Sequence, residues 1–167
     1  MQKSVVAAAA LAIAVALGTR ASADDGAPWR STSPRVRLVT DASGLELVIP
    51  SGRARGATSR AIPIAPGETY IASARLELDV LIARGAFLRV ALYDRADGGG
   101  RQRVRLDSVS VRGGEAGATV LFEAPAWAHA AKLRVLARPD RGGAQLSTTT
   151  PELVRVPAAT VVLRPDE

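Results

Sequence analysis

The chain has 167 residues, with 22 Lys and Arg against 16 Asp and Glu, a net charge of +6, one His and no Cys. The lack of cysteine excludes disulfides, thiol nucleophiles and cysteine-ligated metals, and a single His is too few for a His-built transition-metal centre. The basic excess is nearly all Arg and scattered, and only 4% of residues are aromatic, so nucleic acid is not an expected partner.

The first residues read as a secretory leader. Lys3 precedes thirteen apolar residues from Val5 to Leu17, and Ala21-Ser22-Ala23 then places small residues at the positions a signal peptidase reads. An apolar run of this length falls short of the ~20 residues that span a bilayer. The expectation is therefore a signal peptide at 1–23, a single domain at 24–167 without a membrane span, and a secreted or periplasmic location.

Beyond the leader the dominant pattern is alternation with a period of two, cut by Gly and Pro. Residues 35–40 and Leu45–Ile49 flank Asp41-Ala42-Ser43-Gly44, a hairpin loop by composition. Residues 57–64 form another strand, with Pro63 marking an edge or a bulge. Ala65-Pro66-Gly67-Glu68 predicts a type II turn. It opens a long strand over 69–82, with Tyr70, Ala72, Ala74, Leu76, Leu78, Val80 and Ile82 facing inward.

The strand at 87–94 puts Leu88, Val90 and Leu92 inside and Phe87, Arg89, Ala91 and Tyr93 outside. In 101–111 the inward set changes from Val104 and Leu106 to Val109 and Val111, which predicts a bulge near Asp107 or Ser108. Val120 and Phe122, then Leu133 and Val135, mark the inner faces of two further strands, and weaker strands follow at 152–156 and 160–163. About nine or ten short strands with turn signals between them predict an all-β antiparallel sandwich or barrel.

Catalytic groups are scarce. His129 has no nucleophile motif beside it, and there is no H-E-x-x-H, G-x-S-x-G or Walker pattern. Glu77 and Asp79 share a strand face, as a solvated surface would, and would act together only within a cleft. No enzymatic activity is expected. Trp127 either packs over the end of the core or offers a stacking face to a sugar ring. The outward parity is basic on three strands, through Arg89, through Arg103 and Arg105, and through Lys132, Arg134 and Arg138.

Three segments carry a family resemblance. They are Ile62-Pro63-Ile64-Ala65-Pro66-Gly67-Glu68-Thr69-Tyr70, Leu88-Arg89-Val90-Ala91-Leu92-Tyr93-Asp94, and Phe122-Glu123-Ala124-Pro125-Ala126-Trp127-Ala128 with the strand after it. In order and spacing they resemble the carbohydrate-binding modules of the galactose-binding-like jelly-roll type. The resemblance implies a jelly-roll β-sandwich and a non-catalytic module with a polysaccharide partner. Such modules often hold a structural Ca²⁺ through an acidic pair late in the chain. Residues 146–153 lack that pair, so no cofactor is expected.

The candidate ligand-binding residues are Arg89, Tyr93, Arg103, Arg105 and Trp127. Arg103 and Arg105 lie about 7 Å apart on one strand face, a spacing suited to the carboxylates of an anionic glycan. The alternative is a structural or protein-interaction sandwich of the cell envelope that binds no sugar.

Overall fold

The computed structural model describes residues 29–157 and the backbone of Arg20–Ala21. The expected leader, its cleavage site and the strand expected at 160–163 otherwise lie outside the described residues. Every strand pairing is antiparallel, in two sheets packed face to face. In chain order the strands are β1 (Arg20–Ala21), β2 (Arg30–Ser31), β3 (Arg37–Thr40), β4 (Leu45–Ile49), β5 (Arg55–Thr58), β6 (Ile62–Pro63), β7 (Thr69–Leu78), β8 (Ala86–Tyr93), β9 (Gln102–Asp107), β10 (Gly114–Glu123), β11 (Ala130–Ala137), β12 (Ala144–Thr148) and β13 (Glu152–Val156).

The first sheet is seven-stranded and centres on β7. One side of β7 pairs with β10, and the other is shared by β13 and then β12, which continues to β4 and β3. The chain passes from β12 to β13 beside Arg75, whose carbonyl accepts from Thr149 N–H and whose own N–H donates to Thr149 Oγ1. The second sheet is six-stranded, ordered β2-β5-β11-β8-β9, with β6 also on β11. This is the antiparallel sandwich that the alternation allowed and the jelly-roll resemblance implied.

The core lies between the sheets and collects one parity from each strand. Leu45, Leu47 and Ile49 meet Tyr70, Leu76, Leu78, Leu88, Val90, Leu92, Val120, Phe122, Leu133, Val135 and Leu146, all buried. Tyr70 stacks on Phe122 with ring centroids 5.7 Å apart, and its hydroxyl accepts a hydrogen bond from Ala65 N–H at 2.8 Å. The turn before it forms as expected. Gly67 has φ of 76° and Glu68 N–H donates to Ala65 O. Gly67 N–H then donates to Ala124 O, and Ala124 N–H returns to Glu68 O. The Pro-Gly turn and the Ala124-Pro125 corner are thus clasped together, so two of the segments that carried the resemblance are one tertiary unit.

The Asp41–Gly44 loop also closes as expected. Asp41 N–H donates to Gly44 O. The Asp41 carboxyl is held below its usual range, first by the Ser43 hydroxyl and then by the Ser43 and Gly44 N–H groups.

Three expectations are corrected. β7 ends at Leu78, and Val80 is 41% exposed rather than in the core. Asp79 N–H still donates to Gln145 O, but the Asp79 carboxylate takes the Gln145 N–H in place of a backbone carbonyl, and the chain leaves the sheet before Ile82 returns to the core. The strand expected at 57–64 is split into β5 and β6. Between them Ser59 keeps contact with β11, its Oγ accepting from Leu133 N–H.

The parity change near Ser108 is real, but only Val111 turns inward, and Val109 is 87% exposed. The Ser108 hydroxyl accepts from Leu88 N–H, and the ladder resumes as a single bridge between Ala86 and Val111. Ser108 faces Leu88 and Val111 faces Ala86, so Val109 and Ser110 oppose Phe87 alone and the expected bulge is present just after Ser108. A second bulge lies nearer the end of β8. Leu92 pairs with Val104 and Tyr93 with Gln102, which makes Arg103 the extra residue.

Candidate basic face of the second sheet

Strand registry places the basic residues. Arg30 is opposite Thr58, Thr58 opposite Arg134, Arg134 opposite Arg89, and Arg89 opposite Asp107. A second row runs from Lys132 through Ala91 to Arg105. With strands ~4.8 Å apart and rows ~7 Å apart, five cations from four strands share one outer face. The three basic strands singled out in the sequence are neighbours in a single sheet, β11-β8-β9.

The five expected site residues fare differently. Arg89 is bound to Asp107 through two hydrogen bonds of 2.6 and 2.7 Å, and lies 5.3 Å from the Phe87 ring centroid. The hydrogen bond to Asp107 is the main reason its guanidinium titrates above the usual arginine range.

Tyr93 is only 6% exposed and has no free ring face for a sugar. Lys132 Nζ sits 4.7 Å from its centroid and donates to Gly98 O, while Arg134 donates to the Tyr93 hydroxyl at 2.8 Å. Its outward parity holds, but the glycine-rich loop after β8 folds back and covers it. Arg103, on the second bulge, pairs with Asp94 at 3.1 Å and lies 5.4 Å from the Trp127 ring centroid. Trp127 is half-buried against the core, as is Trp29. Arg105 is exposed and has no ion-pair partner among the described residues.

The concave part of this face lies to the other side of Tyr93. A groove of about 450 Å³ is lined by Arg30, Arg60, Lys132 and Arg134, with Thr58 and Asp97. Asp97 is engaged, accepting from Gly99 N–H. The Arg134 Nε–H is buried and has no acceptor among the described residues. A buried donor without an acceptor is costly, and an anionic oxygen would satisfy it. Arg30 and Arg60 were missed in the sequence because one lies on a two-residue strand and the other in a loop. Arg134 shares its parity with Lys132 and was visible, but its importance depends on the strand beside it.

The opposite face of the sandwich has the other sign. Glu46, Ser147, Glu77 and Glu115 are aligned across β4, β12, β7 and β10. Arg75 pairs with Glu115. Glu77 therefore neighbours Glu115 on an exposed sheet surface, while Asp79 is turned to the backbone of Gln145. Among the described residues no group of three or more His, Asp or Glu side chains is placed to hold a metal ion, and no helix is long and apolar enough to cross a membrane.

Neutralising Asp107 tests whether Arg89 is held in reserve. Asp107→Asn is expected to cost about 1 kcal/mol, because the pair is bidentate and the Arg89 side chain is only 18% exposed while the carboxylate is open to solvent. It is also expected to strengthen binding of an anionic polymer a few-fold by releasing the guanidinium. Titration calorimetry beside a thermal melt would show both, and weaker binding in the variant would mean that Arg89 plays no such part.

No protein-family model matches the chain, and no curated protein sequence does. Solved structures do. A family 16 carbohydrate-binding module is 18% identical, with a TM-score of 0.54 over 75% of this chain and 89% of that one. A CBM4 module is 14% identical, with a TM-score of 0.56 over 77% of this chain and 94% of that one. The enzymatically active domain of tailspike protein 4 from bacteriophage CBA120 is 13% identical, with a TM-score of 0.57. This chain is covered over 79% there but spans only 20% of the tailspike chain. At these identities the likeness is one of fold. The chain has the jelly-roll β-sandwich fold of carbohydrate-binding modules.

Proposed function

We propose that this protein is an exported, non-catalytic module that binds an anionic glycan on the basic outer face of its second sheet. The observation that carries the reading is the groove lined by Arg30, Arg60, Lys132 and Arg134, where a buried guanidinium N–H lacks an acceptor. Arginine suits a uronate because its planar fork donates two parallel hydrogen bonds to one carboxylate. Arg105 extends the cationic row from the groove toward the sheet edge. The acidic row on the opposite face repels the same ligand, so the charge distribution orients it. The fold shared with modules that are named for carbohydrate binding supports the glycan part of the reading, and the leader-like first residues support export.

The ligand would be held by several weak, screened contacts, so affinity should fall as salt rises. Titration calorimetry with polygalacturonate against a neutral glucan is the direct test. Heat with the polyuronate alone is expected, and it should be lost when Arg30, Arg105 and Arg134 are replaced by Gln. Equal or absent heats for the two polymers, or unchanged binding in the triple variant, would overturn the proposal.

A further inference from the structure

A second cationic site stands at one end of the sandwich, apart from the sheet face. The β4–β5, β7–β8 and β11–β12 connections converge there around an open hollow of about 650 Å³, on whose rim all four arginines are exposed. Its walls carry Arg53, Arg84, Arg138 and Arg141. The one acidic side chain in the lining is Asp140, and it is already used, its Oδ2 accepting from Ala83 N–H at 2.9 Å. None of the four arginines has an ion-pair partner among the described residues.

The three connections are tied to one another. Gly52 N–H donates to Pro139 O, Arg138 N–H donates to Gly85 O, and the Ala83–Asp140 bond joins the second loop to the third. Pro139 is fully buried beneath them. Gly52, Gly85, Gly142 and Gly143 take positive φ at the bends, where other residues would be strained. Four like charges are therefore held together by a braced backbone, without the carboxylates that elsewhere in this protein neutralise Arg75, Arg89, Arg103 and Arg155.

We infer that this end hollow binds a ligand carrying several phosphate groups close together. Four exposed guanidinium groups against one engaged carboxylate create a positive potential that favours a ligand of higher charge density than a single carboxylate. A uronic-acid chain spreads its charges one per sugar ring, whereas neighbouring phosphates concentrate them within a hollow of this size. Each phosphate presents the oxygen geometry that an arginine fork pairs with through two hydrogen bonds.

The probe is inorganic tripolyphosphate, titrated into the purified protein at fixed ionic strength, with orthophosphate as the comparison. Saturable one-to-one binding is expected, with orthophosphate much weaker. R84Q/R138Q should lose at least about tenfold in affinity, because each arginine contributes charge-assisted hydrogen bonds. R53Q/R141Q, which alters two exposed loop residues, should lose affinity comparably and covers the case in which the first variant fails to fold. R84K/R138K should also weaken, since lysine keeps the charge and loses the fork. R30Q/R134Q, on the sheet face, should leave tripolyphosphate binding unchanged while reducing polygalacturonate binding. That contrast separates failure of this inference from failure of the glycan reading. The inference is overturned by absent or non-saturating heat, by equal affinity for orthophosphate, by wild-type affinity in the loop variants, or by loss in R30Q/R134Q instead.

Discussion

Leu146→Ala is expected to destabilise the protein by about 2–5 kcal/mol, the range for truncating a fully buried leucine. Leu146 has no exposed surface. It stands in an inward row with Leu78 on β7, Leu47 on β4 and Leu38 on β3. Leu47 and Leu78 are themselves buried in strands held by their ladders, so the space left by Leu146 cannot close without moving a backbone. In denaturant titrations the midpoint should fall with little change in slope. Val109→Ala, at an 87% exposed site, should stay within about 0.5 kcal/mol. A loss below about 1 kcal/mol for Leu146→Ala would mean that this row is not the packed centre of the sandwich.

Gly56→Ala should damage both stability and the basic groove. A Cβ at Gly56 would lie 1.9 Å from the carbonyl oxygen of Val135, an atom fixed in the β11 backbone. The φ of Gly56 is not in the left-handed region, so the cost is steric rather than conformational. A destabilisation of at least about 1–3 kcal/mol is expected, the cost of overpacking, with β5 pushed away from β11. Gly56 also anchors β2, since its N–H donates to Thr32 Oγ1 and its carbonyl accepts from Thr32 N–H. Displacing it would shift Arg30 and Thr58 from the groove, so polygalacturonate binding should weaken together with stability. Gly117→Ala provides the contrast, because a Cβ there meets nothing within 4 Å. A melting temperature for Gly56→Ala equal to that of Gly117→Ala would show that the close approach of β5 and β11 is not maintained in solution.

The limits of reading the site from the chain are clearest at Tyr93. Parity places it on the outer face of β8, and it is there, but burial is decided by what lies above it. Lys132 comes from a strand 39 residues later, and the covering loop is held by the Lys132 bond to Gly98 O. Arg89 shows the same effect, since its exposed-side position was legible and its neutralisation by Asp107 follows only from the β8–β9 register. Arg105 needed no partner to be read correctly as an exposed cation, because nothing lies across from it but Ala91. Val80 was misread because alternation continues in the sequence beyond Leu78, whereas the Asp79 carboxylate takes the Gln145 N–H and the chain leaves the sheet there.

The end hollow could not be found from parity, because its four arginines lie in three connections; Arg138, read by parity as part of the third basic strand, stands one residue past the end of β11. What the sequence by itself determined is the alternation that separates core from surface, the turns at Asp41–Gly44 and Pro66–Gly67, and hence an all-β sandwich or barrel. These are local properties, set by backbone geometry and by the alternation of side chains along a strand. Which strands became neighbours was decided only by the tertiary structure. Charge clusters, buried donors and covered aromatics all depend on groups far apart in the chain, and it is long-range packing that brings Arg30 to Arg134 and Arg53 to Arg138.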